Sequence, residues 1–221
     1  MIEFPKIETL WNRNKETFIV EEGDFRCPEF GLVRPERWIF QEKIDGTNIR
    51  IGWNGKERVI QGRTDKAQLA GDLITNIQSS VTPEKLAEVF PEVNSEEGVV
   101  LFGEGYGPGI QKDGGKYRSD KGFILFDVRV GHWWLEMPDV AAIGNSLGVR
   151  IAPIYNMDLE VIVSHLKADN LLSLESTHEH KAEGVVLRTN PTLLFRSAQR
   201  CIAKLKAVDF QSGHGPKPKE K

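Results

Sequence analysis

Only two cysteines, Cys27 and Cys201, occur in 221 residues. That excludes a disulfide framework and makes a reducing, cytoplasmic setting the expectation. No stretch approaches the ~18 consecutive apolar residues of a membrane-spanning helix, so no membrane partner is expected. Met1 to Lys6 lack a basic segment followed by an apolar one, so no secretory leader is visible. Excess charge is scarce as well. Lys and Arg number 29 against 32 Asp and Glu, a net −3. Binding of nucleic acid through a general basic coat is thereby excluded, but a local basic groove is not. No internal repeat is found. What remains is an ordinary globular composition, 39% hydrophobic and 28% charged. A chain of this length buries a substantial core as one large domain or two small ones.

Hydrophobic periodicity supplies the elements. Asn48 to Trp53 alternates as a strand, Asn54-Gly55 is a hairpin turn, and Lys56 to Gln61 returns. Leu69, Leu73, Ile74 and Ile77 recur at helical spacing. Thr82-Pro83 reads as an N-cap with proline at the first helical position, starting a helix that runs to Phe90. Gly98 to Gly105 and Phe123 to Val130 are buried-strand candidates. His132 to Glu136 could pair with the latter through a turn at Gly131. Pro138 to Leu147 is a helix stopped by Gly148. Arg150 to Tyr155 is a strand, and Asp158 caps a helix with Leu159, Ile162, Val163 and Leu166 on one face. Glu183 to Arg188 and Cys201 to Lys206 are further short strands. Hairpins dominate, so the expected class is α+β: largely antiparallel sheets with flanking helices.

The densest chemistry is Lys43-Ile44-Asp45-Gly46-Thr47-Asn48, placed after the apolar Trp38, Ile39 and Phe40. It sets a primary amine on rigid backbone at a tight turn. Lysine ionises near pKa ~10.4, so a nucleophilic one needs neighbouring cations, desolvation or a metal. Read alone, the step is equally a surface turn at Asp45-Gly46. Five further segments follow it in order: Gly62-Arg63-Thr64, Gly103-Glu104-Gly105-Tyr106-Gly107, Phe123-Ile124-Leu125-Phe126-Asp127, Glu183-Gly184-Val185-Val186 and Ala203-Lys204-Leu205-Lys206.

Six motifs in this order resemble the covalent nucleotidyltransferase superfamily, the ATP-dependent nucleic-acid ligases and mRNA capping enzymes. The nearest likeness is to nick-sealing RNA ligases of the phage RNA ligase 2 type. Glu42 before the lysine, Gly46-Thr47-Asn48 after it, Gly107-Pro108-Gly109-Ile110-Gln111 and the opening Phe4-Pro5-Lys6-Ile7-Glu8 add to it. The likeness runs from about residue 4 to about 210. It implies a nucleotidyltransferase (adenylation) domain over 1–210. Asp45 is a departure, since some phage RNA ligases carry histidine there.

The resemblance also implies a mechanism. Lys43 attacks the α-phosphate of ATP, forms lysyl-AMP and releases pyrophosphate. AMP then passes to a 5′-phosphate, and a 3′-hydroxyl displaces it to join the strands. Splitting one displacement into easier ones is the purpose of covalent catalysis. Such transfers rely on alignment and charge neutralisation, so lysines and a divalent metal are expected. By position, Lys204 and Lys206 contact phosphate. Their i, i+2 spacing puts both on one strand face, which also suits a solvated face. Glu104 matches the ribose-contacting glutamate and Arg63 the sugar-contacting arginine. Phe126 matches the aromatic that stacks on adenine, although a Phe in such a run also suits a core. Glu42 matches the residue that reads the adenine amine, and Asn48 completes the ATP-binding set. Glu183 matches the carboxylate that organises Mg2+ or Mn2+, or else simply opens a strand.

The implied partners are RNA ends or a nicked duplex, with DNA as an alternative, handled by a monomer. About 15 residues follow Lys206, and 211–221 read as a disordered basic tail. A bare domain without a C-terminal accessory domain is the expectation. The competing readings are a minimal DNA ligase, a GTP-using capping enzyme and a self-adenylating or non-catalytic module that binds nucleic-acid ends. His178-Glu179-His180 lacks the spacing of a metal pair. Trp133 and Trp134 should point to opposite faces, one of them into the core. Gly114-Gly115-Lys116 lacks P-loop spacing.

Overall fold

The computed structural model describes residues 1–33, 37–94 and 98–212. In chain order the strands are β1 (Trp11–Arg13), β2 (Val20–Phe25), β3 (Trp38–Lys43), β4 (Thr47–Trp53), β5 (Arg58–Gln61), β6 (Val99–Tyr106), β7 (Gly122–Val130), β8 (Trp133–Trp134), β9 (Arg150–Ile151), β10 (Ile154–Tyr155), β11 (Gly184–Thr189) and β12 (Ile202–Lys206). The α-helices are α1 (Gly71–Ser80), α2 (Pro83–Val89), α3 (Met137–Leu147) and α4 (Leu159–Lys167). The tail expected to be disordered lies outside the described residues from 213 onward. No helix among the described residues is long and apolar enough to cross a membrane.

The chain divides into two units. The first comprises Met1–Pro5, Ile44–Ala152 and Glu175–His180. Its sheet runs β5-β4-β6-β7-β8, with β9 added parallel to β7. Asn54-Gly55 makes the expected hairpin, Gly55 taking a φ of 87°. Alternation along β4 and β6 sends Ile49, Ile51, Trp53, Val99 and Leu101 to one face, where all are buried. Burying such a side chain is worth about 1.5–3 kcal/mol, which fixes the face each strand turns inward. Thr82 caps α2 by accepting the Lys85 amide at 3.3 Å. Gly148 ends α3 at a φ of 70°, as its position predicts.

The second unit comprises Lys6–Lys43, Pro153–Leu174 and Lys181–Lys221. Its main sheet, β10-β3-β11-β12, is antiparallel throughout. Phe40, Val185, Leu187, Ala203 and Leu205 share one face and pack with Ile162, Val163 and Leu166 of α4. Trp11, Phe30 and Trp38 join that core.

Three features depart from the sequence reading. Lys43 is not at a turn: it is the last residue of β3, paired with Gly184 of β11. The strand expected over Arg150 to Tyr155 is two short ones, β9 and β10, in different sheets. β1 and β2 form a ladder that the sequence reading left unassigned. Their mostly exposed residues carry little apolar alternation to signal a strand.

Candidate active site

In the second unit, strand register builds a row of charge. Lys43, Gly184 and Lys206 lie directly opposite one another across β3, β11 and β12. Gln41, Val186 and Lys204 form the next row on the same face. Core packing of Phe40, Ala203 and Leu205 on the other face leaves these lysines only this side. Gly184 is required by the close approach of backbone. A Cβ there would stand 2.1 Å from the Leu205 carbonyl oxygen. Glu183, one residue before β11, turns its carboxylate into the row. One oxygen accepts a hydrogen bond from Lys43 Nζ, and the other is 2.5 Å from Lys206 Nζ.

Three ammonium groups and one carboxylate leave an excess of two positive charges. Burial alone would raise the pKa of Glu183, but the charges of Lys43 and Lys206 and their hydrogen bonds hold it below the ordinary value. Lys204 differs from its neighbours. Its ammonium makes no hydrogen bond or ion pair among the described residues, and it lines an open cleft of about 860 Å³ with Glu8, Arg13, Lys15 and Arg26. Desolvation, then the charges of Lys206 and Lys43, push its pKa below the lysine value against the pull of Asp209 and Glu8. A base with a lowered folded pKa penalises the fold wherever it is protonated, and the penalty fades as pH rises through that pKa. Lys204→Met should therefore raise the melting temperature by about 2–4 °C while weakening whatever polyanion binding the cluster supports. Differential scanning fluorimetry at neutral pH checks this, and an unchanged or lowered midpoint would contradict it.

Glu42 is placed otherwise than its neighbour. It lies on the inner face of the sheet, 2% exposed. Ser173 Oγ donates to it at 2.5 Å and the Leu174 amide at 2.7 Å. Its carboxylate therefore holds a chain segment rather than joining the lysine row.

The first unit carries the remaining residues. Asn48 and Glu104 are cross-strand partners on β4 and β6, on the face turned away from the buried Ile49, Ile51 and Leu101. Gly46 allows that proximity, since a Cβ there would meet the Gly105 carbonyl oxygen at 2.3 Å and Glu104 Cγ at 2.8 Å. Asn48 Oδ1 is buried without a hydrogen-bond partner among the described residues. Such an orphan costs about 1–3 kcal/mol and asks for a donor.

Phe126 sits at a β-bulge. Phe102 pairs with Asp127 but Gly103 pairs with Leu125, so Phe126 is the extra residue of β7. Bulges re-aim side chains. Leu125, Asp127 and Val128 are fully buried, while Phe126 keeps partial exposure and packs against the cluster formed by Ile44, Tyr106, Tyr117, Ile124 and Ala152. Arg63 is exposed in the loop after β5. The Gly62 carbonyl at the start of that loop accepts a hydrogen bond from Arg50 Nε at 2.8 Å.

Arg50 is not singled out in the sequence reading, where it is one residue of the alternating run from Asn48 to Trp53. It is fully buried, donating also to the carbonyls of Met1 and Ile2 and to Asp65. His180 packs edge-on against Tyr117. No group of three or more potential metal-ligating side chains occurs among the described residues. Trp133 is 78% exposed, whereas Trp134 packs on Phe102 and Phe4, the opposite-face arrangement its alternation predicts.

A lysine–glutamate–lysine row beside a further lysine carries an excess of positive charge, and it lies on strands within the segment that a family model matches. The RNA ligase family model matches residues 36–206, and the chain belongs to that family. No curated protein sequence matches. Among solved structures, a Naegleria gruberi RNA ligase variant with ATP and Mn superposes with a TM-score of 0.57 at 18% identity, covering 84% of this chain and 58% of that one. The same organism's ligase with pyrophosphate gives 0.59 at 18% identity, covering 92% and 61%. An archaeal ATP-dependent RNA ligase gives 0.59 at 20% identity, covering 94% and 49%. At these identities the likeness establishes the fold. The chain spans roughly half to three fifths of the length of these ligases.

Proposed function

We propose that this chain is the adenylation domain of an ATP-dependent RNA ligase, acting through a lysyl-AMP intermediate. The carrying observation is the row in which Glu183 bridges Lys43 and Lys206 with Lys204 beside it. The excess positive charge suits a triphosphate, and only one of the three lysines ends a strand next to the motif aspartate and glycine. In this reading Lys43 Nζ gives up its proton and attacks the α-phosphorus of ATP. The bond from that phosphorus to the bridging oxygen breaks, and pyrophosphate departs. Lys204 and Lys206 oppose the charge that builds on the phosphoryl oxygens.

AMP next moves from Lys43 to the 5′-phosphate of an RNA strand, restoring the free amine. A 3′-hydroxyl then attacks that phosphate and AMP leaves. Asn48 and Glu104 are proposed to take the ribose, with Asn48 Oδ1 gaining the donor it lacks. Arg63 is proposed to contact the sugar, and Phe126 to stack on adenine. Glu42 is proposed to shape the adenine end through the Ser173–Leu174 segment that it holds. Glu183 fits a hard divalent ion of the Mg2+ or Mn2+ kind, because such ions keep most of their waters and one carboxylate can suffice. When bound there, the ion would neutralise phosphate charge.

The test is direct. Incubation with ATP and Mg2+ should raise the intact mass by one AMP, and GTP should not substitute. No adduct with either nucleotide would overturn the proposal, and an adduct with GTP alone would favour a capping enzyme. The RNA preference is read by sealing of nicked RNA against nicked DNA. Faster sealing of nicked DNA would favour the DNA-ligase reading.

A further inference from the structure

β12 ends the main sheet of the second unit, and it carries two of the three row lysines. Toward β11, the Ala207 amide just past its end reaches the Glu183 carbonyl at 3.2 Å. Backbone amides alternate between the two edges of a strand, so those of Lys204 and Lys206 point to the outer edge. An outer edge presents N–H and C=O groups that need cover. The start of the second unit supplies it. The Lys204 amide donates to the Glu8 carbonyl at 3.0 Å, and the Lys204 carbonyl accepts the Leu10 amide at 3.1 Å. The Lys206 amide donates to Asp209 Oδ2 at 2.9 Å.

Asp209 lies in the short 3-10 helix Ala207–Phe210 and has no exposed surface. Its other oxygen accepts a hydrogen bond from Arg13 of β1, 196 positions away. The second Nη of Arg13 donates to the Phe18 carbonyl at 3.1 Å. Trp11, two residues before Arg13, meets Phe210 at 6.3 Å with 82° between the ring planes, so β1 is docked on this turn at two points. A buried carboxylate with its cation is a poor device for stability alone, since well-packed apolar groups often serve as well. What the pair adds is direction. A charge-assisted hydrogen bond holds the Lys206 amide, and so the end of the strand. From that end the Lys206 ammonium reaches Glu183, which also accepts from Lys43.

We infer that Arg13 and Asp209 are positioning residues for the charged row: the pair fixes the backbone of Lys206, and with it the place of the Lys206 ammonium. The inference rests on the proposed phosphate role of Lys206. It gives β1, which carries none of the motifs, a part in nucleotidyl transfer that is exerted through Lys206.

The experiment is a double-mutant cycle on Arg13→Gln and Lys206→Met, read as kcat and KM for ATP in adduct formation. Arg13→Gln should lower kcat about ten-fold while KM moves less, the scale of a small misplacement at the reacting centre. Lys206→Met should lower kcat further. In the Lys206→Met background, Arg13→Gln should cost nothing more, because the pair matters only while the ammonium it places is there. Arg13→Lys, which keeps the charge beside Asp209, should recover part of the loss. A merely structural pair would lower the melting temperature and cost the same factor with or without Lys206, and that result overturns the inference. So does an unaltered kcat in Arg13→Gln, or a loss confined to KM, which would make Arg13 a direct contact of ATP. If Lys206→Met leaves adduct formation unchanged while the unaltered chain is labelled, the phosphate role of Lys206 has failed and the inference with it. Should Arg13→Gln fail to fold, Asp209→Asn completes the same cycle with the same outcomes.

Discussion

Lys43→Arg should yield no nucleotide adduct under conditions in which the unaltered chain is labelled to completion. Arginine keeps the positive charge and can still reach Glu183. It cannot serve as a nucleophile, because a guanidinium stays protonated at any working pH. The substitution therefore separates two roles that alanine would remove together. Nucleotide binding, measured by equilibrium competition, should stay within a few-fold of the unaltered chain, since the charge count of the row is preserved. Lys43→Ala should also form no adduct but bind more weakly. Lys43→Arg should cost little stability, because Lys43 ends β3 on the face opposite the core that holds Phe40 and Leu205, whereas Lys43→Ala also loses the hydrogen bond to Glu183 and should cost more. Both variants should retain some joining of an RNA whose 5′ end already carries AMP, because that donor bypasses the amine. An adduct that persists in Lys43→Arg would mean that another side chain is the nucleophile.

Much of this molecule was legible before any coordinates. β4 and β5 follow from alternation broken by Asn54-Gly55. α2 follows from Thr82-Pro83, and the end of α3 from Gly148. Each is a local signal, decided within a few residues. The pairing of Lys204 and Lys206 on one face was equally local, since a two-residue period needs only the strand. What it did not decide was whether that face was a solvated one. Register across β3, β11 and β12 decides it, by aligning Lys43 and Lys206 on either side of Gly184.

The illegible parts depend on partners distant in sequence. Nothing near Arg50 in sequence announces that it will be buried with hydrogen bonds to the Met1 and Ile2 carbonyls. The bulge at Phe126 leaves no mark in Phe-Ile-Leu-Phe, where four apolar residues look alike, and it appears only when the register to β6 shifts. Glu42 stands beside Lys43 in sequence, yet alternation sends the two to opposite faces. The Ser173 and Leu174 groups that donate to its carboxylate are more than 130 positions away. β9 and β10 read as one strand because two residues between them, Ala152 and Pro153, end one ladder and begin another.

Removing the charge of Glu183 should be nearly as damaging as removing the amine, and for a reason that pH can expose. Glu183→Gln keeps the shape but leaves Lys43, Lys204 and Lys206 with no carboxylate in their row. Adduct formation should fall on the order of a hundred- to a thousand-fold, the scale of losing one electrostatic contact at a phosphoryl-transfer centre. The Mg2+ concentration for half-maximal activity should rise. Stability at neutral pH should fall by about 1–3 kcal/mol, the range for charge-assisted hydrogen bonds. The sign with pH is fixed by the lowered pKa of Glu183. A carboxylate with a depressed folded pKa contributes fully above its unfolded value, near 4.5 here, and loses that contribution as pH falls through the folded value. The stability gap between the unaltered chain and Glu183→Gln should thus be widest at neutral pH and shrink as pH falls below that unfolded value. Urea denaturation across that range measures it directly. A gap that stays constant would mean that Glu183 is not held ionised by its two lysines, and the electrostatic account of the row would fall with it.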